Sequence, residues 1–226
     1  MKLLLPITAS IALATSADVA AQASTVLYET FDNIAPSGWT VKNVDYSTRT
    51  ENPGYPSWFQ GNPDVFSAHS GAAGSYFASD RTADVPTAEA PVTFLISPAF
   101  EIPNNASTVT LSFYTRRSDA GTPGGDWLLV NYLGAQWNPV HDRNFLGYIG
   151  DSQHPYPTEW TKYTYQLPAW RGSSMRIALM YGLTTESSYI GVDTLAVTIN
   201  AVPEPSAWLM LAGGLAGLGL LARRRR

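Results

Sequence analysis

The chain has 226 residues, of which 45% are hydrophobic and 12% aromatic, enough to bury the core of one domain. It has no cysteine, which excludes a disulfide scaffold, a thiolate zinc site, an iron–sulfur cluster and a cysteine nucleophile. Charged residues make up only 14% and the formal net charge is −4, so nothing in the charge balance points to nucleic acid as a partner.

Residues 1–23 read as a secretory signal peptide. Lys2 gives the positive start, Leu3 to Ala14 is apolar, and Ala21-Gln22-Ala23 is a small-x-small cleavage site, so the exported chain is expected to begin near Ser24. Residues 24–201 show no long helical periodicity. Short alternating runs recur instead, separated by turn clusters such as Gly61-Asn62-Pro63-Asp64 and Gly121-Thr122-Pro123-Gly124-Gly125.

In Thr108 to Thr115, Val109, Leu111 and Phe113 share one face and Thr110, Ser112 and Tyr114 the other. Trp127 to Tyr132 is a more apolar strand, and Lys162 to Leu167 sets Tyr163, Tyr165 and Leu167 together. Met175 to Tyr181 alternates Met175, Ile177, Leu179 and Tyr181, and Ile190 to Asn200 sets Asp193, Leu195, Val197 and Ile199 on one side. Strand period two predicts that these faces point inward. The fold class predicted is all-β, an antiparallel β-sandwich or barrel, with Thr82 to Pro91 as the longest loop.

The C-terminal residues 202–226 are a separate unit. Val202-Pro203-Glu204-Pro205 precedes the apolar stretch Ala207 to Ala222, and the run ends in Arg223, Arg224, Arg225 and Arg226. Sixteen residues make about 24 Å of helix, slightly under the ~30 Å of a bilayer core. The arginines are expected on the cytoplasmic side of the inner membrane, with residues 24–202 outside. A permanent membrane anchor is the alternative reading of the same residues. Residues 24–202 keep 9 basic and 16 acidic side chains and so carry −7, a balance that favours cations and disfavours polyanions.

Pro203-Glu204-Pro205, a short apolar helix and a terminal arginine cluster together resemble the PEP-CTERM sorting signal of Gram-negative bacteria. The resemblance implies recognition and removal of the tail by an exosortase. Transient anchoring in the inner membrane would then give way to the cell surface or an exopolysaccharide-rich matrix.

The domain has a resemblance of its own. Glu29-Thr30-Phe31-Asp32-Asn33 followed by Pro36-Ser37-Gly38-Trp39 is similar to the opening of choice-of-anchor J domains, which are akin to cleaved adhesin and MAM-type modules. Ala68-His69-Ser70-Gly71, Leu95-Ile96-Ser97-Pro98, Trp160 and Gly191-Val192-Asp193 follow in order. This implies a jelly-roll β-sandwich on a surface or secreted protein, usually without enzymatic activity. The resemblance also implies a calcium ion held between the first and last strands, which brings Asp32 and Asp193 forward as metal ligands. Carbonyls are sought around His69, Ser70 and Gly71, because two carboxylates leave most of a ~6–8 oxygen shell unfilled. In the competing reading Asp32 caps a turn and Asp193 holds backbone.

Trp58, Trp137 and Tyr156 lie in loop-like stretches and are the candidates for stacking on sugar rings. Burial in the core competes for each, most strongly for Trp58, while Trp39 and Trp127 read as core. Catalysis finds little purchase, because His69, His141 and His154 lack metal-ligand spacing and Ser70 lies outside a nucleophile elbow. The sequence therefore reads as a non-enzymatic surface or matrix protein binding polysaccharide or a surface protein. A calcium-dependent glycan hydrolase or lyase and a membrane-anchored structural protein are the alternatives.

Overall fold

The alternating runs are the middles of longer strands. The computed structural model describes residues 22–33, 38–54, 57–80, 91–118, 125–136, 144–151, 155–183, 189–202, 213–216 and 223. Its first seven strands are β1 (Gln22–Glu29), β2 (Thr40–Asp45), β3 (Thr50–Glu51), β4 (Trp58–Gln60), β5 (Phe77–Ser79), β6 (Pro91–Ile96) and β7 (Phe100–Ile102). Six more follow: β8 (Ala106–Arg117), β9 (Asp126–Gly134), β10 (Asn144–Ile149), β11 (Thr161–Leu167), β12 (Ser173–Leu183) and β13 (Ile190–Ala201).

Among the described residues these strands form two antiparallel sheets. The six-stranded sheet runs β11-β8-β13-β5-β4, with β1 also on β13, and the seven-stranded sheet runs β10-β9-β12-β6-β2-β3, with β7 also on β12. Non-sequential neighbours such as β8 with β13 and β9 with β12 are the long crossings of a β-sandwich, as the turn-rich sequence predicts. Residues 1–21 of the predicted signal peptide, 1–23, lie outside the described residues, as does most of the C-terminal apolar stretch, while Gln22 and Ala23 begin β1. Gly213 to Ala216 are helical, and among the described residues no helix is long and apolar enough to cross a membrane.

The inward faces are those the alternation predicts. Val109, Leu111 and Phe113 of β8 meet Met175, Ile177 and Leu179 of β12 in the core, all fully buried. Burying each such side chain contributes about 1.5–3 kcal/mol before conformational entropy is set against it. Two further apolar clusters lie on the sandwich's outer faces. On the seven-stranded sheet Val44, Phe94, Leu133 and Met180 pack together. On the six-stranded sheet, the loop after β4 brings Phe66 and Tyr76 onto Ala78, Trp160 and Tyr189.

That second cluster depends on two glycines. A Cβ at Gly191 would lie 2.9 Å from Phe66, Trp160 and Tyr76, and one at Gly61 would lie 2.3 Å from the Tyr76 ring, so side chains at either position would push the loop away. Tyr76 and Tyr189 add a buried polar hinge. The Tyr76 hydroxyl donates to the Asn62 carbonyl at 2.8 Å, and the Asn62 N–H donates to the Tyr189 hydroxyl at 2.6 Å. Burial raises both phenols above their ordinary value, and Tyr76 far above it.

One strand departs from simple alternation where it matters. The β13 register shifts between Asp193 and Ala196, and Thr194 takes a positive φ of 51°. The extra residue puts Val192, Leu195, Val197 and Ile199 in the core and turns Asp193 to the other face, opposite Tyr114. Asp193 therefore does not share the inward face with Leu195, which corrects the period-two reading of this run.

Candidate functional site

The turn between β4 and β5 is where the two predicted carboxylates meet the same backbone. Asp193 is fully buried, and its Oδ2 accepts the Ser70 N–H at 3.0 Å. Its Oδ1 accepts the Thr194 N–H at 2.5 Å and the Thr194 hydroxyl at 3.2 Å. Burial raises its carboxyl above the ordinary value of 3.8, against the pull of these donors.

The neighbouring Gly71 has a φ of +84°, and a Cβ there would sit 3.1 Å from Asp32 Oδ1. Ser70 thus bonds one carboxylate and Gly71 lies beside the other. Asp32 is exposed, and hydrogen bonds from the Ser75 and Thr30 hydroxyls hold its carboxyl below the ordinary range. The His69 ring lies flat on Tyr114, 3.5 Å between centroids, with Nδ1 3.1 Å from the Thr194 hydroxyl, which fixes the near end of the turn.

Strain gathers at the same place. Three non-glycine residues adopt a positive φ among the described residues, and two of them, Phe31 and Thr194, adjoin Asp32 and Asp193. Such a conformation costs about 1–3 kcal/mol and tends to persist where a site needs it.

Gln60 was not singled out by the sequence. Its amide nitrogen donates to the carbonyls of Phe31 at 2.9 Å, Gly74 at 2.5 Å and Tyr76 at 3.3 Å. Three backbone oxygens beside Asp32 therefore converge on one positively polarised group. The sequence gives no signal for this, since the carbonyls come from two separated turns.

The predicted sugar-stacking residues are placed differently. Trp58 is 5% exposed, lies in the inter-sheet core against Phe77 and Tyr181, and its Nε1 reaches the Thr93 carbonyl at 3.4 Å. Tyr156 is 2% exposed, and its hydroxyl bonds with that of Thr115. Neither offers a ring face to a ligand, which corrects both assignments; inter-sheet space at this end of the sandwich is filled by large aromatics. Trp137 lies outside the described residues.

Nearby, Arg117 and Asp126 bridge the two sheets at 3.5 Å, and the Tyr181 hydroxyl donates to Asp126 at 2.8 Å. This buried group closes the core end.

Trp39 does pack on the core, edge-on to Phe31 at 5.2 Å. Trp127 instead lies on the outer face of the seven-stranded sheet, near Tyr148 of β10. Of the sorting residues, Pro203, Glu204, Pro205, Arg224, Arg225 and Arg226 lie outside the described residues, and Arg223 is helical.

Residues 201–226 match the PEP-CTERM protein-sorting motif. Among solved structures, the chain is similar to the K3 cleaved adhesin domain of Lys-gingipain from Porphyromonas gingivalis W83. The two are 22% identical over 78% of this chain and 99% of that one, with a TM-score of 0.56. The K1 cleaved adhesin domain of the same protein is 20% identical over 79% and 99%, with a TM-score of 0.54. A Stig cyclase, Fisc, from Fischerella sp. TAU is 12% identical over 80% and 100%, with a TM-score of 0.51. These identities establish a shared β-sandwich fold. No curated protein matches the chain. The sorting motif marks the chain for exosortase-processed export to the surface of a Gram-negative bacterium.

Proposed function

We propose that this exported PEP-CTERM protein works by binding rather than catalysis, as an adhesive component of the cell surface or extracellular matrix. Its ligand in this reading is polysaccharide or a surface protein. The observation that carries the reading is the position of the sorting motif. The last strand ends at Ala201 and the motif occupies 201–226, so the motif follows directly on a sandwich of the fold shared with domains named for adhesion.

Calcium is part of the proposal, and the residues fit it unequally. The cation takes oxygen ligands, about 6–8 of them at roughly 2.3–2.6 Å. Among the described residues no three His, Cys, Asp or Glu side chains gather at one point, so a shell here would rely on backbone oxygens. Asp32, the Ser75 hydroxyl and the carbonyls that now face Gln60 are donors of that kind. The Gln60 amide would turn over to present Oε1 in place of its N–H groups. Asp193 already accepts three hydrogen bonds, and its part is to hold the Ser70–Gly71 turn against the Asp32 side.

The test is retention of the exported protein on extracellular matrix purified from the producing bacterium, with calcium and with chelator. The expected result is retention that weakens with chelator. Unretained protein in both conditions overturns the binding role. A fall in matrix viscosity on incubation would assign a hydrolase or lyase instead.

A further inference from the structure

The edge strand β10 of the seven-stranded sheet carries aromatics that the inter-sheet core does not use. Phe145 and Tyr148 of β10 are 59% and 41% exposed, although β10 lies at the sheet edge, where bare apolar groups invite unwanted pairing. In an unbroken strand residues 145 and 148, three apart, would point to opposite faces. The register of β10 on β9 shifts between Phe145 and Gly147, so that Phe145 pairs with Asn131 and Tyr148 with Leu129. The extra residue brings both rings to the outer face, while Leu146 packs on the core.

The inner side of the bulge is pinned. A Cβ at Gly147 would come within 2.2 Å of the Tyr165 ring from the opposite sheet, so only glycine lets that ring close the sandwich beneath the exposed pair. Trp127 extends the row. Its ring lies over Gly182, where a Cβ would be 2.1 Å from Cζ2, and it stacks near Tyr148 at 6.1 Å and 22°.

Along β9 the levels of Asn131, Leu129 and Trp127 are two residues apart. Phe145, Tyr148 and Trp127 thus form a track about 13 Å long at ~3.3 Å per residue. Beside Phe145, Asn131 is fully buried and its Oδ1 has no hydrogen-bond partner among the described residues, while its amide nitrogen donates to the Ala178 and Leu129 carbonyls.

We propose that this track binds a linear neutral polysaccharide chain lying along the β9–β10 ribbon. The inference rests on the binding reading above and names the surface that does the binding. The repeated flat faces suit the apolar faces of successive sugar rings, and the length suits a chain better than a single sugar. Charge selects against polyanions, because Asp151 acts on Tyr148 and residues 24–202 carry −7.

The experiment is affinity gel electrophoresis of the exported protein in hydroxyethylcellulose, a neutral β-glucan, and in alginate, a polyanion. Wild type and the variants Phe145→Ala, Tyr148→Ala and Tyr148→Phe are compared, with far-UV circular dichroism to confirm folding. Retardation is expected in hydroxyethylcellulose and not in alginate. Each alanine variant is expected to bind about tenfold more weakly, with Tyr148→Phe close to wild type.

Wild-type retardation that survives both alanine changes moves the site elsewhere and leaves the binding reading standing. No retardation of wild type overturns the track and removes support for polysaccharide as ligand. Self-association abolished by Tyr148→Ala would give the surface to a second copy of the chain and overturn the proposal in that way.

Discussion

On the outer face of the six-stranded sheet, Phe66 stacks on Tyr76, Trp160 and Tyr189 meet Phe66 edge-on, and together they hold a loop against the strands. On the outer face of the seven-stranded sheet, Phe145 and Tyr148 stand open beside a partly buried Trp127. Both faces bear aromatics over glycines. The first set has its ring faces taken by neighbours and its hydroxyls tied to backbone. The second has free ring area and, at Asn131, a buried acceptor with no donor among the described residues. What separates a structural aromatic cluster from a recognition surface here is whether a loop of the same chain lies over it.

That contrast is broken most severely at Tyr76. Tyr76→Ala should cost about 3–5 kcal/mol and lower the melting temperature by many degrees, since a fully buried ring and two hydrogen bonds are lost. Phe145→Ala, by contrast, should leave the melt within about 0.5 kcal/mol of wild type. Equal losses at the two positions would erase the distinction between the faces.

Next in size is the effect expected of the proposed calcium, which should act on the six-stranded side. At a concentration a hundredfold above its dissociation constant it should add about 2.7 kcal/mol, read as a higher melting temperature than in chelator. Asp32→Asn should abolish the increment. An unchanged midpoint in wild type would remove calcium from the proposal.

The smallest effect is on pH. Burial raises the Asp193 carboxyl, so the folded state keeps that proton to higher pH than the unfolded state does, and stability from this group falls as pH rises above 3.8. Asp32, held down by Ser75 and Thr30, and Asp45, held down by Ser47, act in the opposite sense. Their contribution is present above 3.8 and is lost as pH falls below it. Asp193→Asn should therefore flatten the decline on the high side of 3.8 and leave the acid-side loss in place. A melting profile with the same slope above 3.8 in both proteins would contradict the assignment.

The inter-sheet core could be read from the sequence because burial on one face imposes period two, which β8 keeps from Val109 onward and β11 and β12 keep in the runs read from the sequence. The turn linking Asp32 and Asp193 to residues 69–71 was legible as order along the chain, through the adhesin-like landmarks. What escaped was every consequence of an inserted residue. The bulge at Thr194 reverses Asp193, and the bulge before Gly147 brings Phe145 and Tyr148 to one side, yet neither leaves a mark in composition or alternation.

Aromatic identity was equally mute. Trp58 and Trp127 are both flanked by turn-rich sequence, but one fills the core and the other lies outside, because the strand face each occupies depends on register. The Gln60 hub was hidden for another reason, since backbone carbonyls carry no residue signature.

The pairing of Ser24 with Ile199 has a mechanical side. The tail continues from β13, which lies between β8 on one side and β1 and β5 on the other. A pull applied through the tail runs along that strand and loads its flanking hydrogen bonds together, in shear, instead of opening them one at a time from a free edge. A domain tethered at this point meets tension with its most extensively bonded strand, and β1, whose first residues face the exit point, is the side of that grip exposed to solvent.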